Sequence, residues 1–391
     1  MKHANGAGPL SRAWRRPVRG GNALTRRPLQ RNAGGQVDRT EFLEVLTPGR
    51  RRGDHDLTAG VSLCELCCSS ASHQNGPPPM PQLASRLAAV GVALCLIAAA
   101  PAAQDAGGHL SGLVDTLARG ERAYGVSTYD LSLENARSLA RADIDYVYVD
   151  MEHGPMHFAA LQAFLVGMID KQAVAASGSV RQRVTPLARI PPYGRESSEW
   201  VVKQALDIGL MGLIFPSIET PEQALAAVRS MRYPQRRDSR YPEPPGLRGV
   251  GTQLATWFWG LSVADYVRHA DLWPLNPEGD LVAFMMVETA TGVRNVDAIA
   301  QVPGVTGILI GPADLSNSLG VPRDEPEVEA AIETIAGACR TRNVTCAITA
   351  TAADMPRRIA QGFTMLGGGR AGGGLGAAND AAIRAGRAVR D

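Results

Sequence analysis

Acidic residues, a histidine and an arginine end several short apolar runs of this chain. Asp150-Met151-Glu152-His153 closes one run, Arg189 closes a second, and Glu288 and Asp314 follow two later ones. Carboxylate oxygens in such positions suit Mg²⁺ or Mn²⁺. Water molecules and substrate oxygens would complete the coordination of the ion. A histidine beside them suits general-base chemistry, and an arginine suits a carboxylate or an enolate. These residue types predict acid–base chemistry on a small oxo acid.

Such residues meet only if the elements before them bring their ends together. Short β-branched runs alternate with longer runs of helical period. The predicted strands cover residues 124–128, 145–150, 185–190, 212–216, 281–288, 306–310, 344–349 and 363–366. In a (β/α)₈ barrel the C-terminal ends of all strands open on one mouth, where active sites lie. We predict a single-domain TIM barrel over residues 104–391, with an open doubly wound sheet as the alternative.

Two segments interrupt this alternation. Within residues 232–280, the stretch 233–251 is rich in Pro, Arg and Gly, and Trp257, Phe258 and Trp259 follow it. We interpret the whole segment as a loop that covers the mouth or forms an interface, with a helix near residues 262–270. Residues 367–376 consist mostly of glycine, and a flexible loop is favoured there over a phosphate site.

The N-terminal part of the chain differs from the rest. Residues 1–79 carry 12 Lys+Arg against 6 Asp+Glu and have no sustained apolar period, which is typical of a disordered extension. Residues 80–103 contain an apolar run followed by Ala100-Pro101-Ala102, the pattern of a signal peptide, too short to span a bilayer. We therefore expect translation to start at Met80, residues 1–79 to be a misread upstream region, and the protein to be exported to the periplasm without a stable membrane anchor.

Composition and charge exclude some classes of function. Residues 80–391 carry 28 Lys+Arg against 32 Asp+Glu, which gives no electrostatic footprint for nucleic acid. Lys171 and Lys203, the two lysines of that part, lie in or beside predicted helices, so no lysine ends a strand to form a Schiff base. Carbon–carbon bond chemistry would then need a metal as its electron sink. Cys339 and Cys346 could form a disulfide in an oxidising compartment.

Each candidate residue also has a structural interpretation. Glu288 and Asp314 could cap a helix or form salt bridges, and Arg189 could be part of a salt bridge at the rim. His153 and His157 invite a zinc site, but Gly154-Pro155 interrupts any helix between them and no His-Glu-x-x-His run occurs. Zinc hydrolase chemistry is therefore disfavoured.

The combination of Asp-x-Glu-His-Gly-Pro at 150–155 with Gly-Pro-Ala-Asp-Leu-Ser at 311–316 is specific. It resembles the HpcH/HpaI aldolase/citrate lyase family, above all its metal-dependent 2-oxo-acid aldolases. The matching segments around these motifs cover residues 145–155 and 305–316. Further matching segments are residues 186–191, 204–209, 214–223, 232–234, 246–251 and 287–289. The resemblance implies a TIM barrel that assembles as a homo-oligomer, a hexamer in this family.

The resemblance also implies roles for individual residues. Glu288 and Asp314 would bind the divalent metal, Mg²⁺ or Mn²⁺ with Co²⁺ as a further candidate, and Asp314 would also contact substrate. Ala313 would hold the substrate carboxylate through its backbone. Arg189 would bind substrate and stabilise the enolate-like transition state. His153 would be the base, and Asp207 would raise its basicity.

The implied activity is that of a class II aldolase, which cleaves a 4-hydroxy-2-oxo acid to pyruvate and an aldehyde through a metal-stabilised enolate. Met286 departs from the family pattern, because the family often has glutamine at this substrate-contacting position. Two alternatives remain open: an acyl-CoA lyase of the citrate lyase type, and a non-catalytic exported protein that binds oxo acids.

Overall fold

Parallel strands form a closed barrel in sequential order, in which β1 pairs with both β2 and β8. The computed structural model describes residues 108–192 and 199–390, so the extension and signal peptide predicted over residues 1–103 lie outside it. The strands are β1 (Ala123–Thr128), β2 (Tyr146–Asp150), β3 (Thr185–Arg189), β4 (Gly212–Phe215), β5 (Val282–Val287), β6 (Gly307–Ile310), β7 (Thr345–Thr349) and β8 (Met365–Ala371). The predicted TIM barrel is confirmed.

Helices surround this barrel. In chain order they are α1 (Gly112–Ala118), α2 (Leu133–Arg141), α3 (Phe158–Met168), α4 (Lys171–Ser177), α5 (Glu199–Asp207), α6 (Pro221–Met231), α7 (Gln253–Trp259), α8 (Val263–His269), α9 (Ala290–Ala300), α10 (Pro312–Leu319), α11 (Pro326–Arg342), α12 (Met355–Ala360) and α13 (Ala377–Arg387). In the described residues no single helix has the length and apolarity to cross a membrane; the bent pair α3–α4 passes only by length and composition.

Two apolar clusters explain why the strands close. The larger one lies between the strands and the surrounding helices, whereas the smaller one fills the barrel interior. Leu113, Val114 and Leu117 of α1 belong to the interior cluster, together with Tyr146 and Phe284 of the strands. Helix α1 therefore plugs the N-terminal end of the barrel and leaves the C-terminal end as the mouth.

The segment between α6 and β5 lies at the end opposite the mouth. The Trp259 indole donates to the carbonyl of Gly209 at 2.9 Å, and the Thr306 hydroxyl donates to the carbonyl of Trp273 at 2.6 Å. Gly209 lies three residues before β4, and Thr306 directly precedes β6. The expectation that this segment covers the mouth is therefore wrong, while an interface role stays a prediction.

The glycine-rich run is not a simple loop, and the two cysteines are not free thiols. Strand β8 continues through Ala371, so the first half of residues 367–376 is strand rather than flexible loop. Cys339 at the end of α11 and Cys346 in β7 form a disulfide with a Cα–Cα distance of 5.7 Å, within the usual range for such a bond.

Two histidines meet on one buried aspartate beside the α1 plug. His109 Nδ1 lies 3.4 Å and His269 Nδ1 2.8 Å from the Asp280 carboxylate, which also accepts from the Ser111 N–H at 3.0 Å. The hydrogen bond to Asp280 raises the pKa of His109. Burial alone would raise the pKa of Asp280, but its bonds to the two histidines bring it below its ordinary value.

This cluster predicts a pH dependence of folding stability. The His109 contribution is fully present below the ordinary histidine pKa of 6.5 and is lost as pH rises through the raised value. The Asp280 contribution is present above 3.8 and is lost as pH falls. Urea unfolding between pH 5.5 and 8.5 measures this. His109→Gln should lower the free energy of unfolding most at the acidic end of this range. Wild-type and variant curves that run parallel would contradict this expectation.

Candidate active site

Arg189 and Asp150 form a buried ion pair at the mouth. They end the neighbouring strands β3 and β2 and lie opposite each other in register. Arg189 Nε donates to Asp150 Oδ1 at 2.9 Å and Nη2 to Oδ2 at 2.5 Å, with 8% and 3% of the residues exposed. Burial opposes charge on both groups, but the pairing outweighs it: the pKa of Arg189 is raised and that of Asp150 is lowered. The site thus keeps a fixed, oriented guanidinium.

The loop after β2 places a second carboxylate and a histidine beside this pair. Arg189 Nη1 lies 3.1 Å from Glu152 Oε2, and His153 Nε2 lies 3.8 Å from the same oxygen. The side chain of His153 is 54% exposed. A Cβ on Gly154 would lie 2.4 Å from the carbonyl of Asp150, so only glycine lets the loop turn back this tightly. His153 is therefore held at the rim in contact with solvent.

Glu288 lies directly after β5 and is held on one side only. Its Oε1 accepts from the Ser217 N–H at 2.9 Å and from the Ser217 hydroxyl at 3.2 Å. Its other oxygen, Oε2, is buried and has no hydrogen-bond partner within the described part of the chain. Burial, then repulsion from Glu152 and Asp314, raises the pKa of Glu288 to about 7. A buried carboxylate with one free oxygen and acidic neighbours is short of positive charge.

The surroundings of this free oxygen fit a divalent cation. A Cβ on Gly311 would lie 2.4 Å from Glu288 Oε2, so glycine keeps that oxygen open. Asp314 lies in the first turn of α10, after the adjacent strand β6, and its side chain is exposed. Over residues 108–192 and 199–390 no three His, Cys, Asp or Glu side chains are grouped closely enough to hold a metal alone. The donor set is therefore two carboxylates, which leaves positions for water and substrate oxygens.

Met286 and Ala313 flank the same space. Met286 lies two residues before Glu288 on β5, is 4% exposed, and its sulfur is 3.7 Å from Arg189 Nη1. Ala313 lies in the first turn of α10, next to Asp314, and is exposed. The structure thus brings Met286 and Ala313, two of the four predicted substrate-contacting residues, to the mouth, with a thioether where the family often has an amide.

Asp207 does not join this group. It ends α5, directly before the turn into β4, and therefore lies at the N-terminal end of the barrel. Its carboxylate accepts from Arg248 Nη2 at 2.8 Å. Burial raises the pKa of Asp207, although Arg248 opposes this shift. His153 follows β2 at the mouth, so Asp207 cannot act on the His153 of its own chain. Its role in raising the basicity of a histidine stays a prediction.

Other residues at the mouth escaped sequence reasoning or have another role. Ser217 has a φ of 57°, a left-handed conformation that non-glycine residues rarely adopt, and this aims its N–H at Glu288. Only its position two residues after β4 could have suggested it. His157 caps α3 by accepting from the Ala160 N–H through Nδ1 at 3.1 Å. This cap explains the histidine without zinc.

Comparison with known proteins agrees with this geometry. The model of the HpcH/HpaI aldolase/citrate lyase family matches residues 132–375. A hydroxypyruvate/pyruvate aldolase of Pseudomonas aeruginosa is 35% identical over 57% of this chain and 72% of its own length. A 2-keto-3-deoxy-L-rhamnonate aldolase of Klebsiella pneumoniae is 36% identical over 56% of this chain and 70% of its own.

Solved structures give the same result. A HpcH/HpaI aldolase/citrate lyase family protein from Burkholderia cenocepacia superposes with a TM-score of 0.56 at 30% identity, over 66% of this chain and 93% of that one. The residues matched by the family model, 132–375, include both the loop after β2 and the Gly-Pro-Ala-Asp-Leu-Ser motif. The chain belongs to the HpcH/HpaI aldolase/citrate lyase family.

Proposed function

We propose that this protein is a divalent-metal-dependent aldolase that cleaves a 4-hydroxy-2-oxo acid to pyruvate and an aldehyde. The observation that carries the proposal is the mouth itself: a fixed guanidinium at Arg189 next to the half-satisfied carboxylate of Glu288. The aldolase names of the relatives support the same reaction class. Such a reaction needs stabilisation of negative charge at the substrate oxygen and a place to move a proton.

Glu288 and Asp314 would hold the cation, which we expect to be Mg²⁺ or Mn²⁺, with Co²⁺ as a further candidate. When bound, such an ion supplies Lewis-acid polarisation of the keto group. Asp314 lies in the helix turn that also carries Ala313. The backbone of Ala313 can therefore hold the oxo acid's carboxylate beside the ion's ligands.

Arg189 and His153 divide the remaining tasks. The Arg189 guanidinium is oriented by Asp150, so it can stabilise charge on the substrate oxygen without reorganising. His153 Nε2 lies near Glu152 at a solvent-exposed rim, so it can take a proton from the substrate, directly or through water, and release it to solvent. Met286 presents sulfur beside Arg189, which favours an apolar part of the substrate there.

The direct test follows the methyl protons of pyruvate in D₂O by NMR. The purified chain is incubated with Mg²⁺, with Mn²⁺ that is chelated before recording, or with EDTA alone. Exchange that requires the metal is expected. Cleavage releases the enolate of pyruvate, which is then protonated, and proton abstraction at the pyruvate methyl is the reverse of this protonation. Glu329→Gln, which alters a carboxylate on the outer helix α11, is the matched control and should exchange normally. Bound pyruvate without exchange would support an exported binding protein instead.

We further propose that the protein is a homo-oligomer, with the hexamer of the family as the expected form. Because Asp207 lies at the opposite end of the barrel from His153, it could raise the basicity of a histidine only across a contact between two copies. Light scattering gives the number of copies. Asp207→Asn would then shift the pH profile of exchange only if the copies associate.

Export is proposed on the signal-peptide pattern of residues 80–103 and on the Cys339–Cys346 disulfide, since disulfides persist mainly in oxidising compartments. N-terminal sequencing of the native protein is the measurement. A start close to Gln104 is expected, whereas any peptide from residues 1–79 would contradict the proposed start at Met80.

A further inference from the structure

A β-bulge changes the direction of strand β8 just before it reaches the mouth. Gly125 pairs with Gly367 and Ser127 pairs with Arg370, so two steps along β1 match three steps along β8. Gly369, inside the extra step, has a φ of 96°. An inserted residue of this kind switches the side chains that follow it to the other face of the strand.

The two apolar clusters show the consequence of this switch. Before the bulge, Met365 belongs to the interior cluster and Leu366 to the outer one. Regular alternation would place Arg370 on the outer face with Leu366, against the helices. After the bulge it is Ala371 that belongs to the outer cluster. Arg370 is therefore directed to the barrel side of β8, at the mouth.

The contacts of Arg370 connect it to the site. Its guanidinium carbon lies 3.9 Å from the centre of the Tyr129 ring, and Nη2 donates to the Tyr129 hydroxyl at 2.8 Å. Tyr129 follows β1, and burial and the nearby Asp150 carboxylate raise its pKa. Tyr129 thus lies between Arg370 and the Asp150–Arg189 pair, and its ring face packs against the Arg370 guanidinium.

The charge and the space around Arg370 are available to a ligand. Arg370 is exposed. Within residues 108–192 and 199–390 its guanidinium bonds the phenol of Tyr129 rather than a carboxylate. Beyond it, a Cβ on Gly372 or Gly373 would have no atom within 4 Å. An arginine that is stacked on and oriented by a phenol can form paired hydrogen bonds with an incoming carboxylate or phosphate.

We propose that Arg370 determines specificity by binding an anionic group on the aldehyde half of the substrate. The inference rests on the proposed aldolase function, in which the oxo-acid half is held near Glu288 and Asp314. Strand β8 lies three strands round the barrel from β5, so Arg370 faces the part of the mouth that the oxo acid leaves free. The aldehyde is accordingly a carboxylated or phosphorylated one.

The test measures aldol addition of pyruvate to two matched pairs of aldehydes. Succinic semialdehyde is compared with butanal, and glyceraldehyde 3-phosphate with glyceraldehyde, so the arms separate carboxylate from phosphate. In the wild type, kcat/KM should favour the anionic member of one pair. Arg370→Ala should lower that value about tenfold to a hundredfold, as expected for loss of a charged hydrogen-bonded pair. Neutral aldehydes and pyruvate methyl exchange should be unchanged.

Arg236→Ala is the control, since Arg236 is 86% exposed in the segment after α6 at the other end of the barrel and should affect neither aldehyde. Equal losses with anionic and neutral aldehydes in Arg370→Ala, or no anionic preference in the wild type, would overturn the assignment while exchange persists. Absence of exchange in the wild type would overturn the aldolase proposal and this assignment together.

Discussion

Replacing Arg189 with lysine should lower the rate of pyruvate methyl exchange about a hundredfold to a thousandfold, the usual effect of losing one oriented donor to a developing oxyanion. Lysine keeps the positive charge beside Asp150 and Glu152, so neither carboxylate is left without a counter-charge. It cannot reproduce the two parallel bonds from Nε and Nη2 to Asp150. Orientation is lost while charge remains, and the loss should appear in kcat rather than in pyruvate affinity.

Arg232→Lys provides a matched control for this variant. Arg232 also makes two hydrogen bonds to a buried carboxylate, with Nε and Nη2 at 2.7 and 3.0 Å from Asp271, but at the other end of the barrel. Both lysine variants should lower the melting temperature, and only Arg189→Lys should lower exchange. Equal exchange rates in the two variants would show that Arg189 is a structural residue alone.

Glu288→Gln should abolish metal-dependent exchange and weaken Mn²⁺ binding by at least about a hundredfold, since even residues that only support a ligand cost up to that much. Glutamine can keep the bonds from Ser217 through its amide oxygen. It places an uncharged NH₂ where the free Oε2 of glutamate faced the cation position. Titration followed by electron paramagnetic resonance of free Mn²⁺ measures the affinity directly, with Glu329→Gln as the unaffected carboxylate.

The same variant also shows how much of the pH dependence of folding stability comes from Glu288. Because the pKa of Glu288 is raised from 4.5 to about 7, the metal-free folded state holds this proton more tightly than the unfolded chain. Stability should therefore fall as pH rises from 4.5 to about 7, by roughly 3 kcal/mol in total. In Glu288→Gln the fall should be smaller by this amount. Added Mn²⁺ should stabilise the wild type more at pH 8 than at pH 5, and equal stabilisation would contradict the assignment.

Local sequence patterns predicted the barrel well where one signal was sufficient. Helix α11 spans 326–342, bounds that can be read from the sequence because proline begins it and asparagine in a left-handed conformation follows it. Thr220 likewise marks the start of α6 as its N-cap, with Pro221 at the first helical position. For α10 a helix start at Asp314 was considered only as the structural alternative to a chemical role, and the helix begins at Pro312. Helix α7 was missed because the proline-rich stretch before it favoured a loop.

The site was predicted at the level of its residues but not of its partners. Arg189 and Glu288 were identifiable because each ends an apolar run. Their contacts depend on which strands become neighbours and in what register. Neither the paired hydrogen bonds from Arg189 to Asp150 nor the bonds from Ser217 to Glu288 could therefore be predicted from spacing. The direction of Arg370 depends on one inserted residue in β8, which reverses alternation. The role that the family resemblance gives Asp207 carries no information about which end of a barrel, or which copy, supplies this residue.

The α1 plug has a consequence for the order in which the chain folds. Ser111 is tied to Asp280 and to Thr185, at sequence separations of 169 and 74 residues. A ribosome releases α1 before either partner exists, and β1 must likewise wait for β8. The contact with Thr185 can form once β3 has been synthesised, whereas the contact with Asp280 and the pairing of β1 with β8 come late in synthesis. Until then part of the apolar face of α1 stays uncovered, and exposed apolar surface of this kind favours aggregation of a partly synthesised chain.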